Sequence, residues 1–148
     1  LPDSKIDPLQ PLCRQFYFPE PRLAVGKKLR SIASAMIDLS DGLHTDLGRL
    51  LAASGVGASL DVARLPLSMA MCAAFSIDAA TELALCGGED YELCFTLAPK
   101  QVSLLECIAE KTGYPLTLIG EVCAEPGLRW TQSGANYTVP SSGFEHFA

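Results

Sequence analysis

The sequence predicts an α/β domain of two layers, a two-layer α+β arrangement in which helices cover a mixed β-sheet. Segments with the 3.6-residue helical period alternate along the chain with short apolar runs typical of strands. The length of 148 residues fits one ordinary domain. Hydrophobic residues make up 49% of the chain, so a core can form without disulfides or a structural metal.

Residues 1–21 are predicted to be a linker-like segment that leads from an N-terminal domain missing from this chain. Five prolines fall here, and no helical or strand period runs through them. A single C-terminal α/β domain is therefore expected over residues 22–148. Its first helix is predicted to run from Pro21 to about Ala33, because proline suits the first helical position.

The next segment predicts a strand, a turn and a helix in succession. Residues 34–39 form an apolar run, and Ser40-Asp41-Gly42 follows as a turn. Leucines then recur at the spacing of an amphipathic helix, with Asp46 and Arg49 placed on its other faces, and Ser54-Gly55 ends it. The remaining predicted elements of this half are a strand over 56–62 and helices over 66–75 and 78–85.

The second half predicts strands around one further helix. Gly87-Gly88 makes a turn before residues 91–97, where large apolar and other side chains alternate as in a strand. Pro99 begins a helix that stops at Gly113. The remaining predicted elements are a strand over 116–122 and a hairpin that pairs 128–131 with 137–139 through Ser133-Gly134.

The charge and composition limit the classes of partner. A formal charge of −6 and a pI of about 4.8 argue against a nucleic-acid or anionic-lipid surface, since both require a basic face. They leave a phosphate ligand possible, because carboxylates hold phosphate through Mg²⁺. No signal pattern or bilayer-length apolar run occurs, so the cytoplasm is the expected compartment.

The six cysteines are predicted to be small buried hydrophobes in a reducing compartment. No two of them form a C-x-x-C pair, and the two histidines lie far apart in sequence. A disulfide framework or a zinc site remains the alternative.

Asp38, Ser40 and Asp41 gather polar oxygens at the end of an apolar strand, in a segment over residues 37–42 that we call the first acidic turn. Strand alternation puts Asp38 and Ser40 on one side of the chain. Such oxygen ligands suit Mg²⁺, which offsets charge in phosphoryl transfer. The alternative is that Ser40 or Asp41 only caps the following helix, although capping gives no reason for Asp38.

The second acidic turn, residues 86–92, places three acidic residues beside paired glycines. Glycines let a backbone approach a ligand closely, and Glu89 could then bind a cationic or hydrogen-bonding group. The alternative is a solvated loop. Two aromatic residues near the C-terminus, Phe144 and Phe147, either pack on the domain or offer a ring for stacking against a ligand.

Together these segments resemble the thiamine-monophosphate kinase family, of the superfamily of aminoimidazole-ribonucleotide synthetase, selenophosphate synthetase and a hydrogenase-maturation protein. The similarity covers nearly the whole chain in the family's order. The matching stretches are Ser34-Ala-Met-Ile-Asp-Leu-Ser-Asp-Gly-Leu43, Thr45-Asp-Leu-Gly48, Leu65-Pro66, Cys86-Gly-Gly-Glu-Asp-Tyr-Glu-Leu-Cys-Phe95, Ile119-Gly120 and Gly143-Phe-Glu-His-Phe147.

The resemblance implies a two-domain enzyme that converts thiamine monophosphate to thiamine diphosphate with Mg-ATP, by in-line transfer. It implies that Asp38 and Asp41 are Mg²⁺ ligands and that Ser40 contacts ATP. It further implies that Glu89 meets the thiamine part of the substrate, that Phe144 lies against its rings, and that the full-length protein is a homodimer. No catalytic nucleophile or base is assigned in this chain.

The family's N-terminal metal-binding segments do not occur in these residues, so the isolated chain is expected to be inactive. Two alternatives stay open. One is another ATP-dependent enzyme of the superfamily, of the selenophosphate or aminoimidazole-ribonucleotide synthetase type. The other is a non-catalytic ligand-binding domain of this fold.

Overall fold

The computed structural model describes residues 9–140 of the chain. Helices and strands alternate through this range, as the sequence predicts. The helices are α1 (Leu9–Tyr17), α2 (Leu23–Leu29), α3 (Leu43–Ser54), α4 (Met69–Ala74), α5 (Ile77–Cys86) and α6 (Leu104–Thr112). The strands are β1 (Ala33–Asp38), β2 (Gly57–Asp61), β3 (Leu93–Leu97), β4 (Gly120–Cys123), β5 (Gly127–Gln132) and β6 (Ala135–Asn136). Short 3₁₀ turns cover Val62–Arg64 and Pro99–Gln101.

The strands within residues 9–140 form two sheets rather than one. A four-stranded sheet has the order β4-β2-β5-β6, in which β2 and β5 are parallel and the outer pairings are antiparallel. The other sheet is an antiparallel pair of β1 and β3, with Asp38 opposite Leu93. The predicted α/β class with a mixed sheet is confirmed, and the second small sheet is the feature that matters for the site.

Two hydrophobic clusters hold these layers together, and β3 contributes to both. The leucine face of α3 packs with β2, β5 and Leu85 of α5 in the first cluster. Buried side chains of α2 and α6, among them Leu29 and Ile108, form the second cluster. Cys94 of β3 packs against the first cluster, whereas Leu93 and Phe95 pack against the second, because successive strand residues face opposite sides.

The N-terminal segment differs locally from the prediction. Helix α1 lies inside the segment expected to lack regular structure, because Pro11 falls in its first turn, where the missing N–H needs no helical partner. None of its residues is buried, so it packs outside both clusters. Helix α2 ends at Leu29 instead of near Ala33, since the chain reverses there and Ala33 pairs with Leu97.

The last strands also differ in register from the prediction. Ser133 and Gly134 both have positive φ, 52° and 82°, which makes a two-residue hairpin loop. That loop pairs Gln132 with Ala135, so β6 covers Ala135–Asn136 and not 137–139. Strand β4 begins at Gly120, later than the predicted 116.

The prediction of buried cysteines is wrong. All six are free thiols. Cys13, Cys72 and Cys107 are exposed on helices, and Cys86, Cys94 and Cys123 are half-buried. The exposed three lie on the outward faces of α1, α4 and α6, which local apolar runs do not reveal. None of the helices described over residues 9–140 has the length and apolar character to cross a membrane.

Candidate functional site

The two acidic turns lie side by side in the structure. Because β1 and β3 are antiparallel neighbours, the carboxyl end of β1 meets the amino end of β3. Three backbone hydrogen bonds continue the contact beyond the strands: Leu39 donates to Glu92, Tyr91 to Leu39, and Glu89 to Ser40, at 2.9, 2.8 and 2.9 Å. The segments that carry the predicted ligands therefore form one surface.

Glycine is required where the turns touch. Gly42 has φ 106°, and a Cβ there would lie 3.0 Å from the carbonyl carbon of Cys86. A Cβ on Gly88 would lie 2.8 Å from the carbonyl oxygen of Ser40. Both distances are shorter than ordinary contacts with rigid backbone. The glycines of each turn thus let it approach the backbone of the other turn.

Asp46 organises the first acidic turn from within α3. Its side chain is only 2% exposed. One carboxylate oxygen, Oδ2, accepts the backbone N–H groups of Ser40 and Asp41, both at 2.9 Å. The other, Oδ1, accepts Nη1 of Arg49 at 3.1 Å. Two successive amides therefore face one buried carboxylate, which fixes the backbone at the predicted ligands.

Arg49 connects Asp46 to Asp41. Its Nη1 contacts the carboxylates of both residues. The Arg49 side chain is 56% exposed, whereas that of Asp41 is 13% exposed. The hydrogen bond to Asp41, followed by the charges of both carboxylates, raises the pKa of Arg49. The Asp41 carboxylate thus lies beside a permanent positive charge.

Tyr91 is hydrogen-bonded to Glu89 and lies within the field of the Asp38 charge. Asp38 lies on the exposed face of β1, and the Tyr91 hydroxyl donates to Oε2 of Glu89 at 2.9 Å. That hydrogen bond is the main cause of a raised pKa of Tyr91, and the charges of Glu89 and Asp38 add to it. One predicted metal ligand and the predicted thiamine-binding acid therefore influence the same phenol.

The backbone of the second acidic turn is strained. Glu89 and Tyr91 have φ of 67° and 51°, a region that non-glycine residues seldom adopt. Their N–H groups donate to the carbonyl oxygens of Ser40 and Leu39, which hold this conformation in place. Such outliers cluster at functional sites.

Arg22 fixes the far end of the second acidic turn. Its Nε and Nη2 donate to the two carboxylate oxygens of Glu92, at 2.9 and 2.5 Å, and its guanidinium lies 4.4 Å from the ring centre of Tyr114. Desolvation, followed by the charge of Glu92, raises the pKa of Asp90 to about 6. Because Glu92 is paired with Arg22, it is the acid of this turn that has a structural role.

His44 lies in the first turn of α3 and contacts Trp130 of β5. The indole N–H of Trp130 donates to Nδ1 of His44 at 3.0 Å, which requires a neutral imidazole with its proton on Nε2. Burial lowers the pKa of His44, in agreement with that neutral form.

The structure brings together four of the five predicted site residues, Asp38, Ser40, Asp41 and Glu89, and Phe144 lies outside the described residues. Sequence reasoning missed Asp46, Arg49 and Arg22. A signal for Asp46 exists, because on a helical wheel it borders the leucine stripe of α3 and is not opposite it.

The fold and site define the class of protein. The chain belongs to the family described as AIR synthase related protein, C-terminal domain, whose model matches residues 18–131. Within this family, the chain is similar to thiamine-monophosphate kinases. That of Salmonella typhimurium is 46% identical over 131 residues, and that of Escherichia coli K12 is 41% identical over 138. These matches cover 88% and 93% of this chain but 40% and 42% of the relatives, so the chain spans about two fifths of their length.

Solved structures agree with the predicted resemblance, which is confirmed. A thiamine-monophosphate kinase from Stenotrophomonas maltophilia is 38% identical, with a TM-score of 0.83 over 90% of this chain and 42% of its own. A chain described as AaThiL complexed with AMPPCP and TMP is 30% identical, with a TM-score of 0.74 over 93% and 41%. Escherichia coli HypE, at 22% identity and a TM-score of 0.63, covers 80% of this chain and 39% of its own and shares the fold alone.

Proposed function

We propose that this chain is the C-terminal domain of a thiamine-monophosphate kinase. The complete enzyme transfers the terminal phosphoryl group of ATP to thiamine monophosphate, giving thiamine diphosphate and ADP. The observation that carries the proposal is the hydrogen-bonded junction of the two acidic turns, which gathers four of the residues that the resemblance assigns to ligands. The AaThiL complex with AMPPCP and TMP supports an ATP-like nucleotide and thiamine monophosphate as ligands.

Each residue of the junction has a proposed role. Asp38 and Asp41 contribute oxygen ligands to Mg²⁺, and Ser40 contacts ATP. Glu89 faces the cationic thiamine part of the substrate, where its negative charge is favourable. Phe144 is proposed to lie against the thiamine rings, where an aromatic face attracts a cation.

The donor chemistry of the first acidic turn fits a hard cation. Mg²⁺ commonly binds through one or two carboxylates and completes its shell with phosphates and water. When bound, it neutralises charge on the transferring phosphoryl group. Within residues 9–140 no group of three His, Cys, Asp or Glu side chains is arranged around a metal position. We propose that Asp38 and Asp41 supply a share of the ligands and that the rest come from outside this chain.

The rest of the active site is proposed to come from an N-terminal domain. The curated relatives extend well beyond the part that this chain matches. We propose a homodimer for the full-length enzyme, with no nucleic-acid or membrane partner, as the acidic composition favours. The cytoplasm is the proposed compartment, in keeping with six free cysteines.

The test joins this chain to the part of the Salmonella relative that lies outside the match. We expect Mg²⁺-dependent conversion of thiamine monophosphate to the diphosphate by the joined protein and negligible turnover by the 148-residue chain alone. Asp41→Asn should lower kcat/KM by at least about a hundredfold, because a charge that stabilises the transition state is lost. Asp61→Asn is the matched control, since the Asp61 carboxylate caps the Val62–Arg64 turn by accepting the N–H of Ala63.

Two results would contradict the proposal. One is a folded joined protein that binds ATP but does not phosphorylate thiamine monophosphate. The other is equal activity of Asp41→Asn and Asp61→Asn, which would remove Asp41 from the metal site.

A further inference from the structure

We propose that Asp46 is a positioning residue, which holds the first acidic turn in the geometry that binds Mg-ATP without touching either ligand. This inference rests on the proposed function, because it concerns the same site. It assigns a role to a residue that carries none in the ligand set above.

Two of the three side-chain hydrogen bonds of Asp46 lead out of its own helix. Asp46 lies in the first turn of α3, and its N–H makes an ordinary helical bond to the carbonyl of Gly42. Its carboxylate reaches back beyond Gly42 to the N–H groups of Ser40 and Asp41, which precede the helix. The side chain therefore holds the turn, whereas the helix would form without it.

Because the Asp46 carboxylate is buried, it requires hydrogen-bond donors from the protein. A carboxylate that is 2% exposed needs compensating donors, because an ionised group without partners is costly away from water. Asp46 has three, and no buried side-chain polar atom within residues 9–140 is without a partner. Leucines that flank it in α3, Leu43 and Leu47, are also buried, so an apolar residue at 46 would suit packing alone. The need to hold the first acidic turn in one geometry explains why position 46 has a carboxylate instead of an apolar side chain.

Arg49 extends the effect to a ligand side chain. It is held by Oδ1 of Asp46 while its Nη1 also contacts the Asp41 carboxylate. The chain of contacts runs from the buried Asp46 to both the backbone and the side chain of Asp41. The second acidic turn is anchored separately at Glu92 by Arg22. Loss of Asp46 should therefore weaken Mg-ATP binding more than binding of the thiamine group.

Two variants separate positioning from simple loss of charge. Asp46→Asn and Asp46→Ala remove the same negative charge, but asparagine keeps one amide oxygen that can accept the N–H groups of Ser40 and Asp41. A purely electrostatic role predicts equal effects of the two variants. Positioning predicts a much larger effect of alanine. Asp61→Ala, which removes a carboxylate that accepts one backbone N–H elsewhere, controls for loss of stability.

Amide hydrogen exchange in the 148-residue chain tests the backbone part without metal or nucleotide. We expect the amides of Ser40 and Asp41 to exchange at least about tenfold faster in Asp46→Ala, beyond any change in the core of α3. In Asp46→Asn the increase should be confined to the same two amides and smaller, since a neutral acceptor is weaker than a carboxylate. Unchanged exchange in Asp46→Asn and Asp46→Ala would overturn the proposal. If Asp46→Ala does not fold, exchange at Ser40 and Asp41 in Asp46→Asn is the deciding measurement. Faster exchange at these two amides supports the proposal, and unchanged exchange overturns it.

Kinetics of the joined enzyme test the functional part. We expect the half-saturating Mg²⁺ concentration to rise about tenfold or more in Asp46→Ala and clearly less in Asp46→Asn, the range for residues that orient metal ligands. The KM for thiamine monophosphate should stay within about twofold. Equal shifts in the two variants, or a like shift in Asp61→Ala, would overturn positioning. An inactive unsubstituted joined enzyme would contradict the proposed function instead, and the exchange result would still decide the role of Asp46.

Discussion

The first acidic turn and the second acidic turn differ in what keeps their backbones in place. The first is held by a carboxylate: Asp46 accepts two successive N–H groups, and Gly42 supplies the positive φ that leads into α3. The second holds two non-glycine residues, Glu89 and Tyr91, at positive φ through backbone bonds to the first turn, and the Arg22 pair anchors only its far end at Glu92.

This difference makes the second turn dependent on the first. Glu89 and Tyr91 donate to carbonyl groups of Ser40 and Leu39, so their strained conformation persists only while the first turn is in place. A change that moves the carbonyl groups of Ser40 and Leu39 should therefore reach both halves of the site. Loss of Asp46 frees N–H groups instead and leaves those carbonyl contacts to hold Glu89 and Tyr91. Damage to the anchor of the second turn at Glu92 should remain local.

The largest effect is expected where the two turns touch. Gly42→Ala should lower the free energy of unfolding by about 3 kcal/mol, because it adds a strained φ and a Cβ 3.0 Å from backbone atoms of Cys86. Urea unfolding of the 148-residue chain measures the change.

Gly55→Ala is the matched control for that substitution. Gly55 also has positive φ, 66°, but a Cβ there meets nothing within 4 Å. Its cost should be only the backbone strain, about 1 kcal/mol. Equal losses in the two variants would mean that the contact between the turns does not matter for stability.

Loss of the Arg22–Glu92 anchor should lower the free energy of unfolding by less than Gly42→Ala does. Arg22→Gln removes a bidentate pair with Glu92, and a loss of about 1–2 kcal/mol is expected since charge-assisted hydrogen bonds are the stronger kind. Arg129→Gln is the control, because its ion pair with Glu125 is exposed and 4.0 Å long. The amide hydrogen exchange rate of Ser40 should not change in Arg22→Gln. A faster rate would show that the second turn also stabilises the first.

Local elements were predictable because their signals lie close together in sequence. Helix α3 follows from its leucine spacing and from Gly55, whose left-handed conformation ends it. The paired glycines of the second turn were also recognisable as a point of close approach, although the sequence suggested a ligand there and the structure places the backbone of Ser40 beside Gly88. Proline content did not reveal the helix over residues 9–17, because Pro11 lies in its first turn, where a missing N–H is tolerated.

The junction itself could not be predicted from local pattern. Strands β1 and β3 are separated by β2, which belongs to the other sheet, and alternation within a strand does not name its partner. The bonds from Asp46 to Ser40 and Asp41 depend on that same tertiary arrangement, as does the contact between Gly88 and Ser40. Residue types predicted the chemistry of the site, and the pairing of distant strands assembled it.

Acid should affect the two turns in opposite directions. Asp90 in the second turn has a pKa raised to about 6, so the folded state binds its proton more readily than the unfolded state does. This contribution to stability is present at low pH and is lost as the pH rises through about 6. Asp90→Asn should therefore be more stable than the unsubstituted chain at pH 7.5, by about 1 kcal/mol after solvent screening, and equal to it near pH 4. Urea unfolding at several pH values measures this, and a difference independent of pH would contradict it.

The smallest effect is expected at His44, beside the first turn, with the opposite sign. Burial lowers its pKa below the ordinary value of 6.5, so the unfolded state binds the proton more readily. Its contribution to stability is present above pH 6.5 and declines as the pH falls through the folded value. His44→Gln does not titrate but keeps an oxygen that can accept the indole N–H of Trp130. Relative to that variant, the unsubstituted chain should lose a few tenths of a kcal/mol between pH 7.5 and 5, since partial exposure screens the charge. An imidazole that titrates at or above 6.5 by NMR would show that its bond to Trp130 does not hold it neutral.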